Sequence, residues 1–363
     1  MTSIQKKILI YAQDPGGTRY MGLVLRAINE SGQPAPLRIL VHPLSQDIVR
    51  DFQVPFESLT RTGEDLPISV YTWIRYLEEE RIAGVFCTTS SPYLDLTNCY
   101  LIVACRKLSV PAMGIMDHWK GYDRFYQGDK LEYMPHYICC IDDSCKKRLQ
   151  GLGLASSRIF VVGHPYLEAI CRQNRNCSGS GERPRVLLVS QPDTTDRSFN
   201  SIYSHFVEGQ RLIDQISSTA AKIEERSRIG CTIHYRPHPK ERPLQDIPRN
   251  IAIDVSSRWD QALKKFDVFI GLDSMAMVEA HLAGKYCIAL ELEAIKELSE
   301  TPMPFSFCGI LNNLADFPAE LVKAMNSVST GSVKERVTPS LLADSTERTI
   351  DVFERFASRA LSA

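Results

Sequence analysis

The stretch that most constrains this chain runs from Phe266 to Leu290, FDVFIGLDSMAMVEAHLAGKYCIAL. The apolar run FDVFIG has the length of a buried strand, and it breaks at Gly271-Leu272-Asp273-Ser274. An amphipathic helix follows, with Met277, Ala280 and Leu282-Ala283 as buried candidates. Gly284 closes the helix, and YCIAL supplies the next strand. A strand–loop–helix–strand unit of this kind sets its loop at a helix N-terminus. Unpaired N–H groups and the helix dipole suit that place to a phosphate or diphosphate. Glu279 lies too deep in the helix to cap it, and a carboxylate that accepts two hydrogen bonds suits a ribose diol.

The alternation extends along the whole chain. KKILIYAQ, PLRILVH, GVFCTT, VPAMGIMD, HYICCI and RIFVVG read as strands, with helices between them at DPGGTRY through Asn29, SVYTWIRYLEEE, YLDLTNCYLIVACRKL and DDSCKKRLQGLG. Ser91-Pro92 is expected to cap the third of these helices. Strands alternating with helices predict a parallel sheet covered on both faces. The polar stretch at 172–184, rich in Gly and Ser, reads as a linker. Beyond it RVLLVSQ, CTIHYRP, NIAIDV, FDVFIG, YCIAL and FCGIL are strands, and Ser198 to Arg226 is mostly helix. The expected fold class is α/β with two Rossmann-like domains, 1–171 and 185–335. An amphipathic helix within 336–363 presents Ile350, Phe353 and Phe356-Ala357 on one face.

At 363 residues there is room for two such domains. Lys and Arg total 42 against 43 Asp and Glu, so no basic excess points to nucleic acid. The longest apolar runs fall far short of a bilayer span, and the first dozen residues lead into a turn as a strand would, so a cytoplasmic protein with no stable membrane insertion is expected. Of the eleven cysteines, Cys87, Cys99, Cys105, Cys231 and Cys287 fall within apolar patterns, and reduced thiols are expected. His136, Cys139, Cys140 and Cys145 lack the paired spacing of a zinc site, and neither a metal nor a cofactor is expected.

Other loops carry candidate chemistry. Asp14, Gly16 and Gly17 follow the first strand, where glycine lets the backbone approach a ligand; the spacing is not a dinucleotide fingerprint. Asp117 and His118 end the strand VPAMGIMD and are candidates for a general base toward a sugar hydroxyl, with Arg124 downstream as a substrate-binding candidate in an aromatic and charged loop of the kind that recognises sugars and anions. His164, in VVGHPY, lies where a strand turns into a helix with Pro165 at its first position. Ser190 and Gln191 follow the first strand of the second half, where they are candidates to touch phosphate or base, with a turn as the default reading. In YRPHPKE, two prolines hold Arg236, His238 and Lys240 in an extended loop that would neutralise charge on a leaving group.

The unit at Phe266–Leu290 resembles the nucleotide-sugar half of the GT-B glycosyltransferase fold, as found in lipid-A-disaccharide synthase, non-hydrolysing UDP-N-acetylglucosamine 2-epimerases and CDP-glycerol glycerophosphotransferases. The V-x-G-x-P segment at Val161–Pro165 and the HP-[KR] loop at His238–Lys240 carry the same resemblance. It implies two domains facing across a cleft, with the last helix crossing back to the first. It further implies that Asp273, Ser274 and Met275 form the diphosphate loop and that Glu279 meets the ribose. Arg236, His238 and Lys240 would meet the diphosphate, while Asp14, Gly16, Gly17 and His164 would line the cleft. The expected activity is metal-independent transfer of a sugar from a nucleoside-diphosphate sugar to a glycan or lipid-linked acceptor. Nucleotide-sugar 2-epimerisation, CDP-alcohol phosphotransfer and a non-catalytic nucleotide-binding module are the alternatives, and a homodimer is left open. Two departures stand out: Met275 crowds the phosphate loop, and the acidic and histidine set of the epimerases is matched only in part.

Overall fold

A computed structural model of the chain describes residues 5–32, 35–59, 68–92, 95–173, 184–193, 199–227, 232–239, 241–272, 274–298, 307–331 and 342–363. The chain divides into two compact units, Met1–Ala169 with Thr338–Ala363, and Ile170–Val337. Most of the expected linker, 174–183, and the segment 332–341 lie outside the described residues.

In the first unit, β1 (Lys7–Ala12), β2 (Leu37–Val41), β3 (Glu57–Ser58), β4 (Ile82–Thr88), β5 (Ala112–Ile115), β6 (Tyr137–Cys140) and β7 (Ile159–Val161) form one sheet in the order β3-β2-β1-β4-β5-β6-β7. All its pairings are parallel. The helices are α1 (Pro15–Ser31), α2 (Gln46–Asp51), α3 (Val70–Glu79), α4 (Thr97–Lys107), α5 (Asp143–Gly151) and α6 (Pro165–Gln173). Residues of β1 alternate between two cores: Ile8 and Ile10 pack with Met21, Val24 and Phe86, while Leu9 and Tyr11 pack with Trp73, Val85 and Leu101. Burial on both faces is why these strands read as unbroken apolar runs.

The start of α1 follows from its sequence. Pro15 fixes the first turn, and the Asp14 side chain accepts the Gly16 N–H at 3.0 Å. The helix expected from Ser91-Pro92 instead begins at Thr97. Asp95 Oδ1 takes the Thr97 N–H at 2.7 Å, and Oδ2 faces His42 Nε2 at 3.3 Å.

The second unit contains β8 (Arg185–Val189), the hairpin β9 (Phe206–Val207) and β10 (Gln210–Arg211), α7 (Leu212–Ser227), β11 (Thr232–Arg236), β12 (Ile251–Ile253), α8 (Trp259–Lys265), β13 (Val268–Gly271), α9 (Met275–Leu282), β14 (Tyr286–Leu290), β15 (Gly309–Leu311) and α10 (Phe317–Ser329). Its main sheet runs β12-β11-β8-β13-β14-β15, again parallel. The hairpin replaces the first part of the helix expected from Ser198. Glu208 and Gly209 both take positive φ, 51° and 83°, and turn the chain back on itself.

The last helix, α11 (Ser345–Ser362), belongs to the first unit. Val352, Phe353, Phe356 and Ala357 enter the core beside Ile8 and Phe86, with Ile350 at its margin. Glu168 on α6 fixes the start of α11 by accepting the N–H groups of Asp344, Ser345 and Thr346 at 2.8, 3.1 and 3.3 Å. Phe353→Ala would empty a fully buried site, at a cost of about 3–5 kcal/mol.

Each sheet reverses its strand order once, between β1 and β4 and between β8 and β13. Ligands of open α/β sheets sit outside the carboxyl ends of the strands at such reversals.

Candidate functional site

In the first unit, the loops after β1, β4, β5 and β7 bring Asp14, Thr89, Asp117, His118 and His164 to one edge of the sheet. Asp117 is 8% exposed. Its Oδ1 accepts from Arg124 Nη1 at 3.1 Å, and the same nitrogen donates to the Thr89 carbonyl and hydroxyl at 2.9 and 3.1 Å. Arg124 Nε donates to the Gly121 carbonyl at 2.8 Å, so the guanidinium is held through two of its nitrogens. Burial pushes the Asp117 carboxyl above the usual carboxylate range; Arg124 opposes that, and Asp14 adds to it.

Gly16 explains how Asp117 reaches this position. A Cβ there would stand 2.6 Å from Asp117 Oδ2, so any other residue would displace the carboxylate. A Cβ on Gly17 would press into the Thr88 side chain at 2.8 Å.

His118 is partly exposed, and its Nδ1 accepts the Lys120 N–H at 2.8 Å. Burial, with the charges of Arg124 and Lys120, pushes the imidazole down to about 3. The neutral ring therefore carries its proton on Nε2. In this geometry the His118 ring offers its Nε2–H as a hydrogen-bond donor.

His164 is 2% exposed and works within the fold. Its Nδ1 faces the Leu167 N–H at 3.4 Å, its ring donates to the Asp117 carbonyl, and Tyr20 meets it edge-on at 5.1 Å. Its backbone N–H donates to Ser345 Oγ at 3.0 Å. Burial lowers this imidazole to about 3 as well.

In the second unit, β11 and β13 both flank β8 in a parallel sheet, so their following loops leave the same edge, about 10 Å apart. After β13, Ser274 is the N-cap of α9 and faces the Met277 N–H at 3.4 Å. Met275 is half-buried at the mouth of the helix, and Glu279 is 5% exposed within it. Asp273 and Lys240 lie outside the described residues.

Arg236, expected to meet a diphosphate, is engaged inside the unit. Its Nη1 pairs with Asp254 Oδ2 at 2.5 Å and donates to the Ser256 carbonyl at 3.0 Å, while the guanidinium covers Trp259. Lys265 Nζ reaches the same buried Asp254 at 3.3 Å. Burial raises that carboxyl, but Ser256 and the two cations outweigh it and hold Asp254 below its ordinary value. His238 is half-exposed, and its carbonyl accepts the Glu241 N–H at 3.0 Å. Ser190 is 4% exposed, with its hydroxyl 2.7 Å from Ser201 Oγ and in contact with Glu241.

No family model matches the chain, and no curated protein does. Solved structures do. A UDP-GlcNAc 2-epimerase from Neisseria meningitidis bound to UDP-GlcNAc superposes with a TM-score of 0.65 at 11% identity, over 96% of this chain and 100% of that one. The Methanocaldococcus jannaschii UDP-GlcNAc 2-epimerase, in complex with UDP-GlcNAc and UDP, gives 0.63 at 14% identity, over 96% and 99%. The glycotransferase of kitacinnamycin gives 0.54 at 13% identity, over 97% and 99%. The chain has the GT-B fold.

Within this GT-B chain, several residues of consequence had no role in the sequence reading. Thr89 fixes Arg124, and its place just beyond a strand at the order reversal is a signal that could have found it. Gln13, His42 and Asp95 form a buried network under the Asp14 loop. Gln13 Nε2 donates to the Asp95 carbonyl at 3.2 Å, and Gln13 N–H donates to Thr88 Oγ1 at 3.1 Å. Only the fold brings these segments together. Glu168, Asp344 and Glu347 converge as an acidic cluster, but Glu168 already serves as the cap of α11. Among the described residues no helix is long and apolar enough to cross a membrane.

Proposed function

We propose that this chain is a nucleotide-sugar enzyme that transfers a sugar from a nucleoside diphosphate to an acceptor hydroxyl on a glycan or lipid-linked molecule. In this reading the second unit holds the nucleotide: the α9 N-terminus and the His238–Lys240 loop take the diphosphate, and Glu279 takes the ribose. The first unit supplies the base. The acceptor O–H proton passes to Asp117 Oδ2 as the new C–O bond forms. The bond from the sugar carbon to the diphosphate breaks with its electron pair on the leaving oxygen. His118 Nε2–H donates to a sugar or acceptor oxygen. The observation that carries the reading is Asp117: a buried carboxylate with raised proton affinity, oriented by Arg124 and reached past a glycine.

A second reading, 2-epimerisation of a nucleotide sugar, is favoured by the higher TM-scores of the epimerases over nearly the whole chain. The same base would then remove a proton from the sugar carbon. Chromatographic separation with mass analysis after incubation with UDP-, CDP- and GDP-sugars separates these chemistries. Transfer yields a nucleoside diphosphate and a heavier acceptor, epimerisation an isomerised sugar, and phosphotransfer a nucleoside monophosphate. Absence of nucleotide-dependent thermal stabilisation across the panel would leave a non-catalytic protein on this fold. Asp117→Asn is expected to lower turnover about 10²–10⁴-fold with nucleotide affinity unchanged. An equal loss of nucleotide affinity would end its assignment as base.

A further inference from the structure

Beneath the basic loop of the second unit lies a closed network of hydroxyls around one carboxylate. Tyr235 OH and Ser190 Oγ both donate to Glu241, at Oε1 and Oε2 respectively. Ser201 Oγ stands 2.7 Å from Ser190 Oγ and 3.0 Å from Tyr235 OH. Tyr203 meets the Tyr235 ring edge-on at 5.9 Å and donates its own hydroxyl to the Ile270 carbonyl at 2.8 Å. Ser190, Ser201 and Tyr235 are each at most 4% exposed. Four segments meet here: the loop after β8, the Ser201 turn, the end of β11 and the end of β13.

We infer that Glu241 is a positioning residue, which through its contacts with Ser190 and Tyr235 holds the His238 turn at the sheet edge for a nucleoside diphosphate. This inference rests on the nucleotide reading of the second unit. The turn itself is short: the Glu241 N–H closes on the His238 carbonyl at 3.0 Å, so fixing the Glu241 side chain fixes the backbone of His238. The far side of the loop is tied separately, by Arg242 N–H to the Phe199 carbonyl at 2.8 Å. Glu241 therefore governs the near side, where the prolines leave few backbone donors. Ser190 joins this brace through its hydroxyl, which makes it a support of the site in place of the phosphate contact its position suggested.

A carboxylate under an anion site repels the ligand, so its value must lie in its hydrogen bonds. An amide can replace them, accepting from one hydroxyl and donating to the other. The test is titration of the full chain with UDP, CDP and GDP, using wild type, Glu241→Gln, Glu241→Ala, His238→Ala and the Glu241→Ala/His238→Ala double variant. For the nucleotide that binds, Glu241→Ala should weaken affinity about tenfold, and Glu241→Gln should stay within about threefold of wild type. In the His238→Ala background, Glu241→Ala should add less than about threefold, because one residue acts through the other. Wild-type affinity in Glu241→Ala, equal losses in Ala and Gln, or full additivity in the double variant would each overturn the inference. Should wild type bind none of the three, the nucleotide reading fails, and hydrogen exchange over residues 236–242 judges the brace alone. Exchange about tenfold faster in Glu241→Ala than in Glu241→Gln upholds the brace, and equal rates remove it.

Discussion

The two units use one architecture to hold charge in different ways. At the edge of the first sheet Asp117 and His164 are sunk into the fold, and even the partly exposed Arg124 is locked in place: Asp117 to Arg124, Arg124 to Thr89, His164 to the Asp117 carbonyl. At the edge of the second, the groups that would meet a ligand are half-exposed, namely His238, Ser274 and Met275, and the locking occurs a layer below, around Glu241 and Asp254. Proton transfer gains from a dry, oriented carboxylate whose proton affinity the surroundings raise. Holding a diphosphate requires outward N–H groups and cations on a firm base. The proposed division of labour would follow from where each unit buries its charges.

The largest effect expected from breaking this contrast is at Arg124. Arg124→Ala leaves Asp117 buried without its cation, and the chain should lose about 3–5 kcal/mol in urea unfolding. A loss within the range of an ordinary surface substitution would mean that the first unit is no more interlocked than the second. Next comes Arg236. If it serves the fold, Arg236→Ala should cost about 2 kcal/mol, with Lys265 still neutralising part of the Asp254 charge, and His238→Ala should cost almost nothing. Nucleotide affinity should show the reverse order, and calorimetry on both variants decides it.

Acid provides the third comparison. His164 has a folded pKa of about 3, below the unfolded value of about 6.5, so the unfolded chain binds more protons in between. Stability is then full above about pH 6.5 and falls with pH toward the folded pKa. From pH 7 to pH 5 the loss at His164 alone should be about 2 kcal/mol, and His118 acts in the same direction. In His164→Gln that part of the slope should vanish; an unchanged slope would place the acid sensitivity elsewhere. The smallest effect is at Ser274. Its removal to Ala should cost about 1 kcal/mol and weaken nucleotide binding several-fold, read by thermal melts with and without UDP.

Strand positions were legible because a doubly covered parallel strand must be apolar on both faces, and KILIYA, VFIG and YCIAL have no other use in water. The start of α1 was legible because Asp14 and Pro15 act locally. The helix at Thr97 was misplaced because its real starting signal, Asp95, is held by His42, which arrives from a distant strand. Ser198–Arg226 was misread for a nearer reason: helical periodicity masked the Glu208-Gly209 turn.

What the sequence determined by itself was the alternation, the two halves and the loops at strand ends that carry Asp14, Asp117, His118, His238 and Ser274. Those depend on periods of two and 3.6 residues and on local turn chemistry, which a window of a dozen residues contains. Tertiary structure alone decided that Arg124 belongs to Asp117 and Thr89, that Arg236 belongs to Asp254, and that Glu241 binds Ser190 and Tyr235. A long cation or a carboxylate can pair with many groups. Which one it meets is set by the strand order that brings separate loops to the same edge, and by the low dielectric there that makes any other choice costly.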